Sequence, residues 1–145
     1  MSKQNRSGFT LVEILIVVVV MAVLAAAIVP QFTSATDDAK VNTAKFNLST
    51  LRGMSQMYRS QHNGSAPTAL DKLTQSTDAS GAVGTGASYP FGPYMQKLPF
   101  NTINNKNSVG TASTNPPTTG DGTTGWLYHS ASGNVWLNDA TLYTE

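Results

Sequence analysis

The chain contains no cysteine. A disulfide-stapled secreted fold is therefore excluded, as are thiol catalysis and cysteine-ligated zinc. Any exported part must hold together by packing, hydrogen bonds or a metal with oxygen ligands. Charge is also scarce. Charged residues make up 12% of the 145, with a formal net charge of +1. No basic excess points to nucleic acid, and no acidic run points to disorder. Two of the nine basic residues, Lys3 and Arg6, lie within the first eight positions; without them seven remain against eight acids. The length suits one small domain with a tail and leaves little room for two. No internal repeat is present.

The apolar residues that are there are concentrated. Residues 9–29 read FTLVEILIVVVVMAVLAAAIV, with Glu13 the one charge. As a helix this run spans about 31 Å at about 1.5 Å per residue, against roughly 30 Å for the hydrocarbon core of a bilayer. Lys3 and Arg6 precede it, so the positive-inside bias puts the N-terminus in the cytoplasm and residues beyond 30 outside. The remainder is rich in Ser, Thr, Asn and Gly, which belongs in water.

Pro30 ends the apolar run, as a kink or as a stop. Residues 31–62 contain no further Pro and one Gly, Gly53, so the helix is expected to continue from Phe9 to about His62, roughly 80 Å at about 1.5 Å per residue. Val41, Ala44, Leu48, Leu51, Met54 and Tyr58 fall on one side, and Asn42, Lys45, Ser49, Arg52 and Gln56 on the other. Asn63-Gly64 and Pro67 supply the stop. Thr68 is expected to cap a second short helix, with Asp71 three residues on, Leu70 and Leu73 facing inward, and an end near Gln75. Residues 76–88 read as a Gly/Ser/Ala loop and 101–107 as an Asn-rich turn. Residues 108–112 suggest a short strand, and 113–125 a second loop. Trp126–His129 and Val135–Asn138 read as a hairpin.

The junction GFTLVE, Gly8 to Glu13, together with Pro30, resembles the prepilin cleavage site of type IV pilins and type II secretion pseudopilins. A short basic leader ends in Gly8, Phe9 follows, and Glu13 and Pro30 are the fifth and twenty-second residues counted from Phe9. The resemblance rests on about residues 6–35. It implies a membrane peptidase that cuts after Gly8 and N-methylates Phe9. It also implies an α+β pilin fold: a long N-terminal transmembrane and amphipathic helix packed on a small antiparallel β-sheet. The expected division is a leader at 1–8, a membrane and filament-core helix half at 9–30, and a globular domain at 31–145. That domain divides into an amphipathic helix half at 31–63, a loop and short helix at 64–88, and a β-region at 89–145.

Glu13 has a physical reading of its own. An acid at the centre of a membrane helix costs roughly 2.5–3.5 kcal/mol on insertion scales, and less near its end. Cleavage creates an α-amino group on Phe9, and in a filament that amine of one subunit can pair with Glu13 of its neighbour. Such a pair acts as a register device more than as a source of stability.

The function implied is that of a structural subunit of a pilus-like filament, a type II secretion pseudopilin in size and lack of cysteine, without enzymatic activity. The implied partners are further copies in a helical filament, a prepilin peptidase, an inner-membrane assembly platform and minor pilins or pseudopilins. The implied location is the inner membrane before assembly and a periplasmic or surface filament after it. The resemblance also implies calcium in a loop of the C-terminal domain. Asp121, Asp139 and Glu145 are the acids after Asp78, the family's ligands do not map onto them, and no metal or other cofactor is assigned. One alternative is a type IV pilin for adhesion, motility or DNA uptake. Another is a secreted soluble binding module released by signal peptidase near Ala27, and a third is a permanently anchored single-span domain. His62 is read as a favourable end charge on the helix and His129 as a strand surface residue. Trp126, Tyr128, Val135 and Trp136 are read as hairpin core or subunit contact, and Asp37-Asp38 as a solvated face.

Overall fold

The computed structural model describes residues 8–144. The leader residues Lys3 and Arg6, and Glu145 at the other end, lie outside them. One long helix, α1 (Leu11–Gln61), is followed by a 3-10 turn (Leu70–Thr74) and three strands: β1 (Val109–Thr111), β2 (Trp126–His129) and β3 (Asn134–Leu137). The chain divides into two compact units between Asp38 and Ala39.

In the first unit the chain is helical from Leu11 onward, and no core forms among its described residues. Side chains from Leu11 to Val29, among them Ile14, Val18, Val23 and Ile28, are exposed. The run Val17–Val20 consists of β-branched residues, which disfavour helix slightly in water. In hydrocarbon the balance changes, because every backbone donor and acceptor must be satisfied within the segment. Position 30 lies inside α1, so proline does not end the helix. The helix proceeds there with one backbone donor fewer. Beyond it, the Thr33 and Thr36 hydroxyls bond back to the carbonyls of Val29 and Phe32 at 3.3 and 2.7 Å. Such back-bonding lets hydroxyl residues sit inside a helix.

In the second unit α1 presents Ala44, Leu48, Leu51, Ser55, Tyr58 and, just past its end, His62 as a buried stripe. Their spacings of three and four keep them on one face. That face shares a core with Trp126 and Tyr128 of β2, Val135 and Leu137 of β3, and Leu70 and Leu73. Leu127 and Trp136 alternate to the opposite side of the sheet and pack with Ala112. The expected hairpin core is therefore split between two faces. At the end of α1, Asn63 and Gly64 take φ of 52° and 82°, and Gly64 N–H donates to the Arg59 carbonyl at 2.8 Å. This is the six-to-one bond of a Schellman stop.

The α+β class and the β2–β3 hairpin agree with expectation. The sheet, in order β1-β2-β3, is mixed: β2 and β3 run antiparallel, but β1 pairs parallel with β2. The connection over 112–125 is long enough for the crossover that a parallel pair requires. The Thr68 cap is not formed. Ala69 occupies the cap position without a side-chain bond, and the turn closes through Lys72 N–H on the Ala69 carbonyl. Burial of Leu70 and Leu73 sets that turn.

His62 departs most from its reading as an end charge. It is buried, stacked on Tyr58 with ring centroids 3.7 Å apart. Its Nδ1 lies 2.7 Å from the Tyr58 carbonyl, which only accepts, so Nδ1 carries a proton. Its Nε2 meets the Thr77 hydroxyl at 3.0 Å. One nitrogen is thus held by a last-turn carbonyl of α1 and the other by a tertiary hydroxyl.

Candidate assembly site

Gly8, Phe9 and Thr10 precede α1 without helical structure, and all three are exposed. A Cβ built on Gly8 meets no heavy atom within 4 Å. The expected scissile junction therefore lies in an open, non-helical segment. Phe9 is 84% exposed.

Glu13 belongs to a local device that the motif reading missed. Thr10 N–H and the Thr10 hydroxyl both donate to Glu13 Oε2, at 2.7 and 2.8 Å. Glu13 N–H approaches the Thr10 hydroxyl oxygen at 3.3 Å. Thr10-Leu-Val-Glu13 is a capping box: each side chain serves the other's backbone donor. The signal was visible as Thr-x-x-Glu immediately before an apolar run. The box gives the carboxylate hydrogen-bonded partners at the lip of an apolar helix and starts α1 two residues after Phe9. Pro30 lies seventeen residues further on, about 25 Å at about 1.5 Å per residue, so it shares no site with Glu13.

Asp78, Asp121 and Asp139 lie in polar loops of the second unit. Asp121 Oδ1 accepts from Thr123 N–H at 2.9 Å, the Thr123 hydroxyl at 2.8 Å and Asn138 Nδ2 at 2.7 Å. The Thr123 amide foremost, then the Asn138 side chain and the Thr123 hydroxyl, lower its pKa to about 2. Asp139 is held below its usual value chiefly by Thr141 N–H. His129 is half-buried at the end of β2, with Nδ1 2.9 Å from the Ser132 hydroxyl. His62 and His129 share no partner in these contacts. Among the described residues no three His, Asp or Glu side chains converge. A cleft of about 310 Å³ beside the loop is lined by Gly110, Ala112, Pro117, Asp121, Thr124 and Leu127, among others.

Residues 3–29 match the family described as the prokaryotic N-terminal methylation motif. Curated relatives share the name type II secretion system core protein G. The one from Pseudomonas aeruginosa is 44% identical over 59 residues, 41% of this chain and 42% of the relative. The one from Klebsiella pneumoniae is 33% identical over 96 residues, 66% of this chain and 68% of the relative. The one from Aeromonas hydrophila is 30% identical over 99 residues, 68% of both chains. The chain thus aligns with less than half of the first of these and about two thirds of the other two. No solved structure matches.

Proposed function

Because the chain belongs to the type II secretion system core protein G family, whose members are pseudopilin subunits, we propose that it is the repeating unit of a secretion filament. On this reading a prepilin peptidase cuts between Gly8 and Phe9 and methylates the new amine. Before assembly, α1 from Leu11 to Val29 crosses the inner membrane with its N-terminus in the cytoplasm. After assembly the same surface packs against the helices of other copies. The observation that carries this is the apolar stretch of α1, whose side chains are exposed from end to end. Among the described residues no element covers it, so lipid or neighbouring helices must. The contacts are heterologous and do not close, which builds a filament rather than a ring.

Glu13 supplies register. In the subunit its carboxylate is held by Thr10, which eases the cost of placing an acid beside hydrocarbon. In the filament the Phe9 amine of an adjacent copy joins it. A charge pair in an apolar bundle discriminates strongly against shifted registers, because a shift leaves both charges unpaired. The assembly platform and minor pseudopilins belong to this reading as partners. The role is mechanical and not catalytic. The family match favours secretion over an adhesive or motile pilus, and over a soluble module released near Ala27.

Mass spectrometry of the N-terminus of the native protein tests this. A chain beginning at methylated Phe9 is the expected result. A terminus at Ile28 or an intact Met1 overturns it, the first in favour of a secreted module and the second of a permanent anchor.

A further inference from the structure

Calcium takes about six to eight oxygen ligands, and the family resemblance implies such an ion in a C-terminal loop. The loop around Asp121 gathers an acid and several carbonyls, and its oxygens do not fit a calcium ion. Lys106 Nζ donates to the carbonyls of Gly122 and Thr123, at 2.9 and 3.1 Å. The next carbonyl, of Thr124, accepts from Asn104 Nδ2 at 2.8 Å. The same amide group reaches the Asn138 carbonyl at 3.1 Å. Asp121 Oδ1 already accepts three bonds from Thr123 and Asn138. Asp139 Oδ1 is turned to Thr141 and Leu142.

We propose that Lys106 is a built-in cation that holds the 121–125 loop in place of a metal ion, so that the loop folds independently of calcium.

The position of the ammonium is prepared. Lys106 N–H donates to Asn104 Oδ1 at 3.2 Å, and its carbonyl accepts from Asn101 N–H at 2.8 Å. The stem therefore leaves from a fixed backbone, which lowers the entropy lost in placing its tip. Gly125 presses against the same point: a Cβ there would come 2.1 Å from the Lys106 carbonyl oxygen. A divalent ion on the Gly122 and Thr123 carbonyls would meet the ammonium that already occupies them, and like charges at contact distance repel.

Asn138 completes the arrangement. It is 1% exposed. Its Oδ1 accepts from the amides of Asp121 and Gly122, at 2.8 and 3.2 Å. Its Nδ2 donates to Asp121 Oδ1 and to the Thr124 hydroxyl, at 2.7 and 2.8 Å. An aspartate could not donate to Asp121; it would set two carboxylates face to face, and these would need a cation between them. The neutral amide removes that need. A lysine on the carbonyls and an asparagine opposite the acid are two independent substitutes for one ion.

The test is hydrogen exchange of the 121–125 amides in the full-length processed chain in detergent micelles, with calcium and with a chelator. The native chain should exchange equally in both. Lys106→Met, which keeps the stem and removes the charge, should speed exchange in this segment about three- to tenfold, the range of a lost charge-assisted bond at an exposed site. The amides of Leu48 and Leu51 should stay unchanged. Slower exchange of the native segment in calcium overturns the proposal, and that measurement needs no variant. A Lys106→Met chain whose segment exchanges at the native rate overturns it equally.

Discussion

Thr10 and Glu13 cap the start of α1 reciprocally, with two donors of Thr10 on a single carboxylate oxygen 2.7 and 2.8 Å away. The residue expected to set filament register is thus also the residue that begins the helix. These two roles separate by substitution. Thr10→Ala should cost about 1 kcal/mol of first-turn stability, read as roughly fivefold faster exchange of the amides of residues 11–14 in micelles. Glu13→Gln keeps an acceptor for Thr10 and removes only the charge. It should leave first-turn protection near native and abolish filaments seen by electron microscopy. Filaments at the native rate in Glu13→Gln would sink the charge-pairing role.

The Asp121 loop should be acid-sensitive in a defined window. Its folded pKa of about 2 lies below the ordinary aspartate value of 3.8. A depressed carboxylate stabilises the fold above its unfolded pKa, and the contribution is lost as pH falls through the folded value. Exchange protection of the 121–124 amides should therefore fall between about pH 4 and pH 2. The Asp121 side-chain carbon should titrate in NMR with a midpoint of about 2. Asp121→Asn should flatten the response. A midpoint at or above the ordinary 3.8 would contradict the hydrogen bonding described.

Core and surface positions on α1 should behave oppositely. Leu51 is completely buried between the sheet and the 3-10 turn, and Leu51→Ala should cost about 2–5 kcal/mol. Phe46 is 71% exposed, and Phe46→Ala should change monomer stability by less than about 0.5 kcal/mol. Denaturant unfolding followed by tryptophan fluorescence measures both, since Trp126 lies in the same core.

Two glycines should respond to alanine with opposite sign. Gly53 lies on the exposed side of α1, with open space around a Cβ. Gly53→Ala should stabilise by about 0.5–1 kcal/mol through helix propensity. Gly125→Ala drives a methyl group into the Lys106 carbonyl and should destabilise by about 1–3 kcal/mol. Thermal melts of the two variants against the native chain decide both.

Much of this was legible in the residues because it is local. An apolar run of bilayer length, the three-and-four spacing of Ala44 to Tyr58, the Asn63-Gly64 stop and the hairpin strands each depend on neighbours within a few positions. The Thr10–Glu13 box is equally local and was masked by the stronger processing motif around it. His62 was misjudged because its decisive partner Thr77 is 15 residues away. The parallel placement of β1 and the grip of Lys106 on Gly122 and Thr123, 16 and 17 residues distant, leave no periodic trace.

The proposed clip at Gly8-Phe9 is where the two kinds of information meet. By itself the sequence determined the helix, its membrane-length apolar stretch and the family, since composition, spacing and a short motif are properties of contiguous residues. Tertiary structure decided how the acids are used. A carboxylate's behaviour depends on which donors the fold brings within about 3 Å. Glu13 finds its donors three residues back, whereas Asp121 finds Asn138 across a loop.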